Sequence, residues 1–307
     1  MSEFPEAPEV QEKRNNTPFI IIGVVIVLLL LCCCAAVFGA NALFGIRSTS
    51  GALPFFDREW NINREFVPSF GQVEASHTLE ETVDDISTPV TIEVDNQVGE
   101  VRILGADIDT VQVTANVRAW GSNSAQAQEN LDRVRVTVDR VANDHVRVAG
   151  SFPQGLFQQR SPTVQITIRM PREAVLDAST NVGEIRVENL LGDANVRTNV
   201  GEINVENVEG ALNLRTDVGD VRVRNWTMTG DSRLETNVGP VRVTMRAEAF
   251  SLDAQSNVGD IESQFEVDGE SERRVPGERL VGAVGENPQM ELVVRTGTGE
   301  IILDRAR

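Results

Sequence analysis

One six-residue phrase recurs from residue 96 onward and limits what this chain can fold into. It reads Thr180-Asn-Val-Gly-Glu-Ile185, Thr198-Asn-Val-Gly-Glu-Ile203, Thr216-Asp-Val-Gly-Asp-Val221, Thr236-Asn-Val-Gly-Pro-Val241 and Ser256-Asn-Val-Gly-Asp-Ile261. Weaker copies are Asn96-Gln-Val-Gly-Glu-Val101 and Thr296-Gly-Thr-Gly-Glu-Ile301. Gly183, Gly201, Gly219, Gly239 and Gly259 follow one another at 18, 18, 20 and 20 residues. A fixed period near 20 marks a repeat architecture, in which each unit buries its apolar face only against its neighbours.

Within a period the apolar positions alternate with polar ones. Before the glycine stand Leu176, Ala178, Thr180 and Val182, then Ala194, Val196, Thr198 and Val200, then Leu212, Leu214, Thr216 and Val218. After it come Ile185 and Val187, Ile203 and Val205, Val221 and Val223, Val241 and Val243. Period-two alternation of β-branched residues predicts half-buried strands, with all of these positions on the dry face. A second turn is expected near Gly192, Gly210 and Gly230, since tight turns favour glycine. Two strands and two turns per period describe one coil of a solenoid, its coils stacked about 4.8 Å apart. An antiparallel sandwich would not require the same phrase in every period. The fold expected is therefore all-β, a single-stranded β-solenoid with coils of about 18–20 residues.

Residues 106–170 interrupt this regularity. Val111–Val117 and Val164–Met170 read as strands, Ser122–Leu131 as a short helix capped by Ser122, and Val134–Val148 as a hairpin with residues 142–144 at its tip. Residues 266–289, rich in charge, Gly and Pro, fall where a period is missing between Gly259 and Gly299, and predict an inserted surface loop.

Ahead of the repeat, Phe19 to Phe38 are 20 consecutive uncharged residues, FIIIGVVIVLLLLCCCAAVF. As a helix they would span about 30 Å, the thickness of a bilayer's hydrocarbon core. The expected organisation is a disordered acidic tail at 1–17, a transmembrane helix at 18–40, a juxtamembrane linker at 41–87 and the solenoid domain at 88–307. A cleaved signal peptide competes with the anchor, because Ala40-Asn41-Ala42 fits a small-x-small cleavage site; against it, the apolar run exceeds the usual length of about 7–15 residues. Lys13 and Arg14 before the segment balance Arg47 and Arg58 after it, so flanking charge does not orient the helix. Size does: a short tail inside and a large domain outside gives a single-pass protein of the cell membrane with its C-terminal domain extracytoplasmic. Cys32, Cys33 and Cys34 all lie in the apolar run, where S-acylation, lipid attachment and simple apolar filling are the readings. The aromatics Phe55, Phe56, Trp60, Phe66 and Phe70 suit either the membrane interface or the end of the following domain.

Composition narrows function. Acids outnumber bases 46 to 28, for a net charge of −18, which disfavours contact with nucleic-acid phosphates. Tyr is absent, Lys13 is the single lysine, and His77 and His145 are the two histidines, so residue types common in catalysis are scarce. The most tempting constellation is an acidic column beside the glycines: Glu100, Glu184, Glu202, Asp220, Asp260 and Glu300. Stacked carboxylates can ligate Ca²⁺. Here Pro240 breaks the column, and Arg102, Arg186, Arg222 and Arg242 lie two residues on and face the same way, so a solvated charge ladder is expected. The Asn column (Asn181, Asn199, Asn237 and Asn257, with Asp217 substituting) is expected to serve the turns, and the inward Thr column to form buried hydroxyl bonds. His77 and His145 are expected at the surface. No residue is assigned a catalytic, cofactor-binding or metal-binding role.

The order Val98-Gly-Glu-Val-Arg-Ile103, Asp109-Thr-Val-Gln-Val-Thr114, short helix, Val164-Gln-Ile-Thr-Ile-Arg-Met-Pro171 and repeated Val-Gly-Glu-Ile coils resembles the bacterial putative adhesin family with the toast-rack β-fold, a domain of unknown function. The resemblance covers roughly residues 88–305. It implies an envelope-associated β-solenoid, often on one membrane helix, and carries no catalytic residues. The expected function is a non-enzymatic, membrane-anchored cell-envelope protein whose exported solenoid is a binding or scaffold surface. The alternative is a regulatory component of an envelope-stress sensing system that contacts a membrane partner. Expected partners are the lipid bilayer, through Phe19 to Phe38, and an envelope glycan or membrane protein; neither nucleic acid nor a cofactor is expected.

Overall fold

The computed structural model describes residues 72–153 and 160–306. The expected acidic tail, the expected transmembrane helix and residues 41–71 of the expected linker lie outside the described residues. Among the described residues, no helix is long and apolar enough to cross a membrane.

The chain opens with β1 (Val73–Val83), β2 (Val90–Val98), β3 (Val101–Ala106), β4 (Val111–Gly121), helix α1 (Ser124–Leu131), β5 (Arg135–Ala142), β6 (His145–Ser151) and β7 (Thr163–Pro171). The regular coils follow as pairs of strands: β8 (Ala174–Val182) with β9 (Ile185–Leu191), β10 (Ala194–Val200) with β11 (Ile203–Gly210), β12 (Leu212–Val218) with β13 (Val221–Met228), and β14 (Ser232–Val238) with β15 (Val241–Arg246). Then come β16 (Phe250–Ser256), β17 (Ile261–Ser263), β18 (Asp268–Arg274), β19 (Gly277–Val284), β20 (Glu291–Thr298) and β21 (Ile301–Arg305). The first strand of each coil joins an eleven-stranded sheet and the second a ten-stranded sheet.

Coils pair in parallel with like residues side by side. Thr198 lies beside Thr180 and Thr216, and Ile203 beside Ile185 and Val221. This is the stacked arrangement the repeat predicts. Val196, Leu214 and Leu234 from one sheet and Val187, Val205 and Val223 from the other are buried in one continuous core. Each side chain buried this fully contributes about 1.5–3 kcal/mol. Trp226, a large residue in an otherwise aliphatic column, is fully buried, and its indole N–H donates to the Gly210 carbonyl at 2.9 Å.

The corner glycine is required twice over. Gly201 has φ of 153°, and a Cβ built on it would lie 1.9 Å from the carbonyl oxygen of Gly183 in the adjacent coil. That carbonyl accepts a hydrogen bond from the buried Thr198 hydroxyl at 3.2 Å. The pattern repeats along the corner: Thr216 to Gly201 at 3.0 Å, Thr236 to Gly219 at 2.9 Å, Thr296 to Gly239 at 2.8 Å and Ser256 to Gly299 at 2.8 Å. The expected Thr ladder is therefore bonded to backbone from Thr198 onward, whereas the buried Thr180 hydroxyl has no hydrogen-bond partner. At the first coil Asn96 takes the place of Thr, and its amide donates to Val164 O at 2.9 Å.

Four expectations need correction. Val182, Val200 and Val218, assigned to the dry face, are 45%, 47% and 48% exposed. Alternation holds only while the backbone stays extended. Past the buried Thr the chain bends into the positive-φ glycine, so the Asn and the Val both face solvent. Second, residues 73–83 of the expected linker form β1, which pairs antiparallel with β4 along its whole length. Third, the expected inserted loop at 266–289 contains β18 and β19, an antiparallel hairpin laid against β16. Consequently the coils do not stack in chain order: the Gly299 coil sits between those of Gly239 and Gly259, and the hairpin covers the outermost strand. Fourth, α1 starts at Ser124 and is capped by Asn123, whose side-chain oxygen accepts from Gln126 N at 2.9 Å; Ser122 does not cap it.

Two substitutions test the corner. Gly201→Ala should cost about 3 kcal/mol or more, because it combines backbone strain with a carbonyl clash, and should lower the melting temperature of the full-length protein by at least about 6 °C. Thr216→Val should cost about 1–3 kcal/mol by leaving a buried carbonyl unpaired, whereas Thr216→Ser should retain most of the stability; paired urea titrations measure both.

Candidate functional site

The longest regular feature on the outside of the ten-stranded sheet is the column of acids with its arginines. Arg186 donates to Glu184 at 2.5 Å, and Arg222 bridges Glu202 and Asp220. Arg242 pairs with Glu300 and lies 3.8 Å from Asp220. Asp260, on the outermost coil, is held by Arg273 of the hairpin at 2.6 Å. Arg102 departs from the expected pattern and bonds Glu188, two positions further along the neighbouring strand, at 3.0 Å. The Glu184 hydrogen bond and charge hold the Arg186 guanidinium above its ordinary pKa. Glu184, Glu202, Asp220, Asp260 and Glu300 each pair with a guanidinium, the charge ladder that the arginine spacing implies, whereas no ion pair forms at Glu100 among the described residues. Among the described residues, no group of three or more His, Cys, Asp or Glu is arranged to hold a metal ion.

One rung differs. Asn204 occupies the arginine position between Arg186 and Arg222, and donates to Glu184 at 2.6 Å. The shorter amide opens a cleft of about 300 Å³, lined by Glu184, Glu188, Glu202, Glu206, Arg222 and Arg224. Its walls are carboxylates and guanidinia, groups that pair with polar, hydroxyl-rich or charged ligands.

The Asn column named from the sequence lies on the solvent side of the corner, where Asn237 donates to Asp217 at 2.9 Å. A second Asn column was not singled out there. Asn189, Asn207 and Asn225 take positive φ of 60°, 56° and 50° at the opposite turn, and their amides link coil to coil at 3.2 and 2.6 Å. The signal was available: an Asn recurs at 18-residue spacing, and Asn tolerates the left-handed region better than most residues.

The two histidines lie apart from this face. His77, on β1, lines a shallow cleft with Leu79, Val117 and Leu131. His145 begins β6, and its Nε2 lies 3.6 Å from Glu93. A larger groove of about 570 Å³ lies at the C-terminal end, with Met228, Ala247, Ala249 and Met290 along its walls and Arg246 and Arg305 beside them. On the outer face of the other sheet, Asp253 joins Arg295 and Arg279; Arg279 reaches it at 3.2 and 3.3 Å.

The two-sheet, parallel, glycine-cornered solenoid defines the class. Residues 174–301 match the family described as Toastrack DUF4097. No curated protein matches the sequence. Among solved structures, the chain resembles a putative cell adhesion protein from Clostridium sporogenes ATCC 15579, at 15% identity and a TM-score of 0.42 over 76% of this chain and 100% of that one. It also resembles a putative adhesin from Bacteroides fragilis NCTC 9343, at 13% identity and a TM-score of 0.35 over 78% of this chain and 99% of that one. At these identities and scores the likeness transfers nothing about ligand or partner.

Hydrogen bonding from Arg295, aided by Arg279 and opposed by burial, holds Asp253 below the ordinary carboxylate pKa. A depressed folded-state pKa contributes stability above the unfolded value of about 3.9 and loses it as pH falls through the folded one. Asp253→Asn should therefore be less stable than wild type at neutral pH, with the gap constant down to about pH 4 and closing below it. Denaturant titrations across that range measure the gap.

Proposed function

We propose that this protein is a non-enzymatic, membrane-anchored cell-envelope protein whose exported β-solenoid works as a binding or scaffold surface. The observation that carries the reading is the outer face of the ten-stranded sheet. There, carboxylate–guanidinium pairs recur at strand spacing on a backbone that parallel hydrogen bonding fixes in place. A surface of this kind pre-orders donors and acceptors along a line, so an extended polar partner meets them without further ordering cost. Envelope glycan fits that chemistry best, since its hydroxyls pair with both signs of charge. The anchor rests on the 20 uncharged residues from Phe19 to Phe38, long enough for a bilayer's core. The acidic balance of the chain supports a partner other than nucleic acid.

Protease added to intact cells should digest the domain and spare the anchor; protection of the domain would overturn the exported orientation. The full-length protein in detergent should be retained on an envelope polysaccharide fraction. Replacing Arg186, Arg222 and Arg242 together by Gln should weaken retention by about tenfold or more. These side chains stand outside the core, so the fold should survive. Undiminished retention would remove this face from the function.

A further inference from the structure

The solenoid exposes an apolar ridge along its glycine corner. Val182, Val200, Val218, Val238 and Val258 are 44–49% exposed, one per coil, while the strand residues just inside the corner are buried. Thr298 continues the line between Val238 and Val258. Stacked at about 4.8 Å, the rows from Val182 to Val258 make a straight edge some 24 Å long. The ridge backbone is already spoken for: Gly183 N–H bonds Val200 O at 2.9 Å, Gly201 bonds Val218 at 2.9 Å and Gly219 bonds Val238 at 2.9 Å. A partner cannot add a strand here and must be met by side chains.

Chain order across the corner fixes what flanks the ridge. The residue before each Val lies on the eleven-stranded side and is mostly an amide, whereas the second residue after it lies on the ten-stranded side and is mostly a carboxylate. Asn181 and Asn199 make no side-chain hydrogen bond among the described residues, so their donors remain open to a partner. An anionic membrane surface would meet the carboxylate flank unfavourably. A second copy of the same ridge would not, provided the two run parallel. A twofold axis along the ridge sets Val against Val and exchanges the flanks, so the amide row of each copy faces the carboxylate row of the other. An antiparallel arrangement would set carboxylates against carboxylates. The match holds in the rows of Val182, Val200 and Val258; Pro240 and Gly297 leave one flank uncharged in the rows of Val238 and Thr298, and in the row of Asp217 and Asp220, Arg215, 3.6 Å from Asp217, and Arg222, bonded to Asp220, supply positive charge.

We propose that the valine ridge is a self-association seam that pairs two copies of this chain in parallel, in register, about a twofold axis along the corner. Six rows about three residues wide give roughly 18 residues a side, just below the 20–30 of a standard interface, so the pair is of the weak, concentration-dependent class. The inference does not depend on what the charged face binds.

The test is cross-linking of the full-length protein in detergent, with Cys32, Cys33 and Cys34 replaced by Ala and one cysteine returned at V182C, V218C or V258C. A short bismaleimide should give covalent dimer at all three ridge positions, several-fold above V175C, an equally exposed valine on the face of β8. V200E should suppress dimer formation at V218C while leaving the melting temperature near that of its parent. Cross-linking at V218C alone would indicate an antiparallel pair and overturn the register. Yields no higher than V175C would overturn self-association. If V200E then altered retention on envelope material, the ridge would belong to a different partner.

Discussion

Everything in this molecule rests on the contact between glycines of successive coils. At each corner the chain turns through a positive φ and the next coil approaches so closely that no Cβ fits; from Thr198 onward a buried hydroxyl also satisfies the carbonyl left facing inward. None of these features works alone. A larger residue would push the coils beyond hydrogen-bonding range, and without the hydroxyl a polar group would be buried unpaired, at a cost of about 1–3 kcal/mol. The close approach recurs at every coil, which is why the corner glycine recurs at every coil.

A solenoid must also end. Parallel stacking leaves an open strand edge on each sheet, a template for unwanted pairing. At the C-terminal end the chain lays β19 antiparallel along β16, with β18 outside it, and then returns to insert the Gly299 coil inside the Gly259 coil. The ten-stranded sheet stops at β17, only three residues long. At the other end β1 and β4 pair antiparallel, and β5 closes the second sheet. Each end changes strand direction or shortens, so the repeat does not propagate.

The charge of −18 is distributed rather than concentrated. Along the ladder Glu184, Glu202, Asp220 and Glu300 have guanidinium partners, in places from their own strand and in places from the next coil. Exposed pairs of this kind contribute little stability one by one, about 0–1 kcal/mol each. Their effect is to let carboxylates stack at strand spacing without mutual repulsion. At Asn204, between Arg186 and Arg222, an amide replaces the guanidinium, and there the ladder opens into a cleft.

The sequence by itself determined the coil: the glycine interval set its length, the alternation of Val, Ile and Leu set its two buried faces, and the inward Thr set its hydroxyl bonds. Those are local or nearest-neighbour constraints, repeated until they cannot be mistaken. The charge ladder was legible for the same reason, because an acid and an arginine two residues apart on one strand share a face. Tertiary structure alone decided the rest. Where the coils stack out of chain order, the choice depends on which edge the β18–β19 hairpin covers, and no local pattern records it. The valines beside the glycines turned outward because the corner, not the strand, sets their direction. Period-two patterning reads an extended backbone; it says nothing once the backbone bends.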